Sequence, residues 1–577
     1  PFSSKNNSYA KPDGLFLPNN LIILRQKAIH FISIIYFIFC FETFFSQKLT
    51  LKLSSKNKTE VLVLDKINYS NKHKDTISLK KEINRISDYL KNKGYLTTTI
   101  SEIKKENLKH VAYFSLKVKI ERVVLNINKN SEINLNKVRN EKGTISIPIE
   151  KLQPTLSNIS KKLDKEGKSF SKIKLENIVI KNKTVFADLM ISKSKKRMIN
   201  KIIIKGYENF PKSYLKNYFN LETNTVFNQP KLQELSKASK SLNFITEIKS
   251  PEVLFTQDST FVYMYLHKKQ NNSFDGLVNF ASKENGDILF NGNIDLKLNN
   301  ILNKGEKFEV FWNSIGAEKQ EFKLKTEIPF ILKSKFSPQI AFSIYKQDST
   351  FLNTKFDSKL YYNVNNKLKL ALTYSSESSE TLNNNTNDNI ISFRNSFLGF
   401  QLKYKLPKND IFFSDKFNLE INPTFGKRKI NQNSNNQIKI KASASYIYDL
   451  NIRNSVYIRS QLGHLTSANF IDNELFRIGG AQSIRGFNEQ SILAKSYILV
   501  NIEYRFLVSN TSFLYTITDI GNFKTNFNTD NLTGIGLGYL FNINKSQIKL
   551  SAAIGKNSTQ SFGFKQNKII INWLSYF

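Results

Sequence analysis

Cysteine is nearly missing from this 577-residue chain, and the single one, Cys40, excludes a disulfide within it. Histidine is almost as scarce. His30, His73, His110, His267 and His464 are scattered, with neither zinc-ligand nor catalytic spacing. That speaks against an enzyme and gives a metal or any other cofactor no role. Acidic residues are outnumbered, 47 against 85 Lys and Arg, for a formal charge of +38. A compact basic block is also lacking. The lysines alternate with apolar residues, and no zinc-finger spacing or aromatic nucleic-acid platform is present, so the excess reads as solvated faces and not as a nucleic-acid surface. Long apolar runs are missing too. The run from Ile29 to Phe41 has thirteen residues, short of the roughly 20 that span a bilayer as a helix. With Arg25 and Lys27 before it and Ser46-Gln47 after it, residues 1–48 read as an N-terminal extension and export signal. Bulky Phe39 beside Cys40 argues against lipid attachment there. An exported chain without a spanning helix can still enter a membrane as a closed β-barrel, which satisfies every backbone group in lipid.

What is present divides into two halves of different periodicity. In "IEKLQPTLSNISKKLDKEGKSF", Leu152, Leu156, Ile159 and Leu163 recur at helical spacing, with Gly167 and Phe170 following. "EINRISDYLKNKGYLTTTI" repeats the arrangement with Ile83, Ile86, Leu90, Gly94 and Tyr95, and a third unit runs from "INKIIIKGYENF" to "STFVYMYLHK". Three similar units of about 70 residues predict tandem α+β modules at 49–120, 121–195 and 196–270. From 271 to 577 the period becomes two. "QIKIKASASYIY" sets Ile438, Ile440, Ala442, Ala444, Tyr446 and Tyr448 opposite Lys439, Lys441, Ser443 and Ser445. "ILFNGNIDLKL", "QIKLSAAI" and "NKIIINWLSYF" alternate likewise. Long strands with one apolar and one polar face, behind an export signal, predict an antiparallel transmembrane barrel with a wet lumen. Sixteen strands are expected, starting near 274, 287, 306, 318, 338, 350, 366, 391, 416, 437, 453, 496, 511, 532, 546 and 567.

The densest chemistry is "FRIGGAQSIRGFNEQS", with Arg477, Gly479, Gly480, Arg485, Gly486 and Phe487, followed by "VNIEYRF" and "TDIGNF". Repeated α+β modules, a sixteen-stranded barrel and these motifs resemble the BamA/TamA family of outer-membrane assembly factors. The modules resemble its polypeptide-transport-associated (POTRA) domains. "SIRGFNEQS" resembles the Arg-Gly-Phe motif of the family's sixth extracellular loop, which folds back into the barrel. Gly521 falls in the similar strand motif, and Phe577 matches the C-terminal targeting signal. An arginine inside a lumen requires a carboxylate partner. In "SYILVNIEYRF", Ile498, Val500, Ile502, Tyr504 and Phe506 form the lipid face, so Glu503 points inward towards Arg485. The family pattern nominates Asp519 as well. Alternation is less clear there, because Asp519 shares parity with Phe513, Tyr515 and Ile517.

The resemblance implies a protein of the outer membrane with its modules in the periplasm. It implies contact with the bilayer and its lipopolysaccharide, unfolded outer-membrane protein clients, and accessory lipoproteins or an inner-membrane partner. The expected function is assembly or insertion of clients through a lateral seam between first and last strands, with binding of clients by strand addition. A two-partner-secretion translocator is the alternative within the same architecture. A passive porin or uptake channel would share the barrel without needing the modules or the arginine loop.

Overall fold

The computed structural model describes residues 49–127, 144–282, 288–315, 319–383, 389–408, 410, 412–563 and 567–577. The expected export signal, Cys40 included, lies outside the described residues. Among these residues no helix is long and apolar enough to cross a membrane.

The chain separates into two compact units. The first holds two small sheets. One is built from β1 (Leu49–Ser54), β2 (Lys72–His73), β3 (Thr99–Glu106) and β4 (Lys109–Ser115) in the order β2-β1-β4-β3. Helix Thr76–Asn92 packs Leu79, Ile83, Ile86 and Leu90 onto it, against Leu51, Leu53 and Phe114. Asp75 starts that helix by accepting from the Ser78 N–H at 2.7 Å, satisfying a donor that would otherwise lack a partner. The other sheet has β5 (Arg122–Ile127), β6 (Thr144–Pro148), β7 (Lys172–Lys181) and β8 (Thr184–Ser192) in the order β6-β5-β8-β7. In both, the first long strand pairs in parallel with the last, Thr50 with Lys109 and Arg122 with Thr184. In the first sheet the helix covers one face of short strands that would otherwise lie open to water.

The second unit opens with a third module of the same plan. β9 (Lys201–Lys205), β10 (Ile245–Phe255) and β11 (Thr260–Lys268) are ordered β10-β11-β9. Its helix Gln229–Ser241 is capped by Asn228 and has proline in its first turn, both start signals.

Sixteen strands then close into an antiparallel barrel. They are β12 (Ser273–Ser282), β13 (Ile288–Asn299), β14 (Lys307–Ile315), β15 (Lys319–Glu327), β16 (Phe336–Gln347), β17 (Phe351–Asn363), β18 (Leu368–Thr381), β19 (Phe393–Pro407), β20 (Asp415–Ile430), β21 (Asn433–Asp449) and β22 (Asn454–Thr466). After a long loop carrying the small hairpin β23 (Phe476–Ile478) and β24 (Ile492–Ala494), β25 (Ser496–Ser509), β26 (Ser512–Lys524), β27 (Thr529–Ile543), β28 (Ser546–Lys556) and β29 (Lys568–Tyr576) complete it. Leu398 and Phe400 are 67% and 61% exposed on the outer wall, while Phe397, one residue before Leu398, is buried at 3%. An apolar exterior on a closed barrel is an outer-membrane architecture. Closure is thin. Among the described residues β12 meets β29 over two register pairs, Ser273–Tyr576 and Phe274–Ser575, whereas β12 and β13 share ten.

The third module docks on two turns at the end of the barrel it enters. Tyr207 donates its hydroxyl to Asn303 at 2.7 Å and accepts from Asn300 at 2.8 Å. Tyr214 sets its ring edge-on to Phe330 with centroids 4.9 Å apart. Asn217 donates to the Lys333 carbonyl at 3.0 Å.

Candidate functional site

Residues 467–495, between β22 and β25, turn back into the lumen. Arg485, near the loop's tip, is only 6% exposed. Its Nε and Nη2 donate to the two oxygens of Asp519 at 2.8 and 2.6 Å, and its backbone N–H donates to Asp519 Oδ2 at 2.9 Å. Nη1 donates to Glu503 Oε1 at 2.5 Å. Both sequence-nominated carboxylates therefore meet the same guanidinium, one side-on and bidentate, the geometry for which a planar fork is suited.

Alternation placed Glu503 inward, and the neighbours agree. Asn501, Glu503 and Arg505 are buried on the lumen side while Ile498, Tyr504 and Phe506 are exposed on the other. On β26 the pattern blurs for a physical reason. Phe513, Tyr515, Ile517 and Asp519 all face inward and are buried, the rings of Phe412 and Phe413 packing on Phe513 and Arg485 meeting Asp519. Leu514 and Ile520 hold the outer face at 49% and 52% exposure. The inward face is mostly apolar and the outward one mixes Leu514 and Ile520 with Thr516, Thr518 and Asn522, so polarity does not mark which face is which.

Gly486 has φ +93, in the left-handed region, and a Cβ there would sit 2.5 Å from the Ile554 carbonyl carbon on β28. Phe487 is buried with Ile478, Ile484, Leu499, Phe523 and Leu532 in one cluster that seals the loop to the wall. Gly521 lies under the same cluster, its would-be Cβ 2.4 Å from Leu499 and 3.4 Å from Ile484. Phe577 is half exposed, and its N–H donates to the Asn272 carbonyl at 3.0 Å across the seam.

Several members of the arrangement were not singled out in the sequence. Arg505 donates to Glu503 Oε2 at 2.9 and 2.6 Å, so Glu503 bridges two guanidinium groups. Arg505 itself lies between the rings of Phe413 and Tyr457, at 4.2 and 4.1 Å. Gly534 on β27 gives the loop backbone its seat, since a Cβ there would stand 2.2 Å from the Arg485 carbonyl oxygen. The loop's first limb has a separate anchorage on the facing wall. Glu474, 3% exposed, accepts from Arg428 on β20 at 2.5 Å and from Gln437 on β21 at 2.6 Å. Asn473 donates to Ser379 at 2.7 Å and its carbonyl accepts from Asn353 at 2.8 Å. A Glu-to-Arg pair 46 residues apart leaves no local spacing to detect. Further along, Arg477 stacks on Tyr345 at 4.0 Å, and Gln490 donates to Glu321 on β15 at 3.0 Å.

The fold and site define a closed outer-membrane barrel, preceded by α/β modules, whose lumen is crossed by its own loop. A family profile for the haemolysin secretion/activation proteins ShlB/FhaC/HecB matches residues 340–541, which include Arg428, Glu474, Arg485, Glu503 and Asp519. No curated protein sequence matches significantly. Among solved structures, CdiB from Acinetobacter baumannii aligns with 87% of this chain and 97% of its own at 13% identity and a TM-score of 0.50. CdiB from Escherichia coli aligns with 87% and 98% at 12% identity and TM-score 0.49. BamA from Haemophilus ducreyi lacking POTRA domains 1–3 aligns with 80% and 100% at 12% identity and TM-score 0.45. Across 97% of its own length, the Acinetobacter CdiB therefore shares this chain's fold.

Proposed function

We propose that this chain is a polypeptide translocator of the two-partner-secretion type, carrying an unfolded client across the outer membrane. The observation that carries the reading is the secretion/activation profile over residues 340–541, a span that holds both anchorages of the lumen loop. In this reading residues 1–48 direct export, and the modules at 49–120, 121–195 and 196–270 receive the client in the periplasm. The barrel at 271–577 conducts it, and Phe577 serves in targeting. Arg485, Gly486 and Phe487 hold the loop across the lumen against Glu503 and Asp519 until a client displaces it. Client movement needs no covalent chemistry, since folding outside draws the chain through.

A second reading, assembly or insertion of outer-membrane proteins, is favoured by the short seam between β12 and β29. There an edge with unpaired backbone groups would template a client strand. Depleting the protein and taking an inventory of both surface and secreted proteins separates the two. Loss of one or a few secreted products supports translocation. Broad loss of integral outer-membrane proteins refutes it in favour of insertion.

A further inference from the structure

Beneath the loop's first limb lies a cavity of about 440 Å³. Most of its charges are already matched. Lys355 pairs with Asp357 at 2.8 Å, Lys325 with Glu309 at 3.1 Å, Lys323 with Glu321, and Glu474 with Arg428. Three cations are left over. Lys439 and Lys441, two residues apart on the lumen face of β21, have no ion-pair partner among the described residues. Their ammonium groups stand 5.3 and 5.6 Å from the Phe476 ring centroid. Among the described residues Arg477, next along the loop, also lacks an ion pair, and its buried Nε has no hydrogen-bond partner. Asp295 pairs with Lys297 at 2.6 Å, so among the described residues one lining carboxylate, Glu377, held by Asn353 at 3.2 Å, stands without a cation against these three. The cavity therefore carries two positive charges more than it can neutralise.

Like charges confined beside low-dielectric walls focus their field on whatever enters. Aromatic faces hold the ammonium groups without consuming their hydrogen-bond donors. We infer that Lys439, Lys441 and Arg477 form a carboxylate-binding subsite that recognises an acidic segment of the polypeptide in transit. The inference rests on the translocator reading and adds a substrate class to it. Two ammonium groups two residues apart on one strand face match the side chains that an extended peptide with acidic residues at i and i+2 presents on one side. The planar fork of Arg477 can take a third carboxylate bidentately.

The test uses purified full-length protein in detergent with a photoreactive ten-residue oligoglutamate, crosslinks being located by mass spectrometry. Heat-modifiable gel mobility confirms that each variant's barrel is folded. Crosslinks are expected in the peptides bearing β21 and Phe476–Arg477. They should fall about tenfold or more in the Lys439→Gln/Lys441→Gln variant, as truncating close charge partners does at other interfaces. They should be unchanged in Lys104→Gln/Lys105→Gln, which alters exposed lysines of β3. Crosslinks confined to the modules, insensitivity to Lys439→Gln/Lys441→Gln, or equal labelling by an oligolysine probe would overturn the subsite. Competition by chloride or citrate as effective per charge as oligoglutamate would overturn the polypeptide assignment and leave a small-anion site. The readout requires no secretion. A failed depletion experiment thus removes the translocator reading without touching the crosslinks, and absent crosslinks leave translocation standing.

Discussion

Arg485→Ala tests the site at its centre. Truncation removes three bonds that the guanidinium donates, two to Asp519 and one to Glu503. Glu503 keeps both bonds from Arg505. Among the described residues Asp519, fully buried, keeps only the backbone N–H of residue 485. The cost therefore falls on one carboxylate. Removing one partner from a dry buried pair costs about 3–5 kcal/mol. Water in the adjoining lumen screens the remaining charge, which brings the expected loss to about 2–3 kcal/mol. At about 1.4 kcal/mol per decade, the undocked loop becomes roughly 30 to 150 times more populated. Ile484, 0% exposed beside the arginine, supplies the reporter. In a Cys40→Ser background, a cysteine at 484 reacts with a maleimide only when the loop leaves the wall, at a rate that follows the open population. The labelling rate should rise by that factor in Arg485→Ala. It should fall part of the way back when Asp519→Asn is added, because the stranded charge is gone. Arg485→Lys should sit between, keeping the charge but not the fork. A rate unchanged within about twofold, or a further rise on adding Asp519→Asn, would refute the claim that charge pairing holds the loop.

Two further expectations follow from the register and the joint. Ser273→Cys with Tyr576→Cys, facing each other across the seam in a Cys40→Ser background, should crosslink under oxidation without preventing folding; locked protein that still inserts outer-membrane clients in cells would exclude lateral opening. Tyr214→Ala, which empties the aromatic contact with Phe330 and Phe244, should cost about 3–5 kcal/mol and expose the stretch between β11 and β12 to limited proteolysis, an effect that Tyr214→Phe should not produce.

Strand positions were legible because lipid outside and water inside impose opposite polarity on alternate residues. The sixteen expected starts fall within four residues of those observed, the largest shift being β21, which begins at Asn433 and not near 437. Its first residues, "NSNN", are polar on both faces and carry no period. Glu503 was legible for the same reason as the strands. Asp519 was not legible from alternation, because inward packing puts Phe513, Tyr515 and Ile517 on its own face while Thr516 and Thr518 stand on the outer one. The first limb's anchorage escaped entirely. Glu474, Arg428 and Gln437 are ordinary polar residues in sequence, and only barrel closure brings them together. Gly534 was hidden too, since a glycine among "TGIGLGYL" gives no hint of which one faces an incoming loop.

The seam and the loop stand at opposite ends of one energy scale, and this separates the two functional readings. A backbone hydrogen bond contributes about 0.5–1.5 kcal/mol net, so two described register pairs and the Phe577–Asn272 bond hold the seam with only a few kcal/mol. The loop is held by Arg485, Asn473, Glu474 and Gln490 on separate sectors of the wall, and by the apolar cluster around Phe487. Releasing it means stranding buried charges at two places at once, each a multi-kcal/mol loss. Thermal motion should therefore part the seam while the loop stays docked. Insertion of a client strand at that edge needs nothing more. Passage of a polypeptide through the lumen needs the loop released as well, and the energy for that must come from contacts the client makes inside. Weakening the loop anchors should then ease translocation or make the pore leak while leaving insertion intact. Locking the seam should do the reverse. A protein in which both perturbations abolished the same activity would not be using the two elements separately.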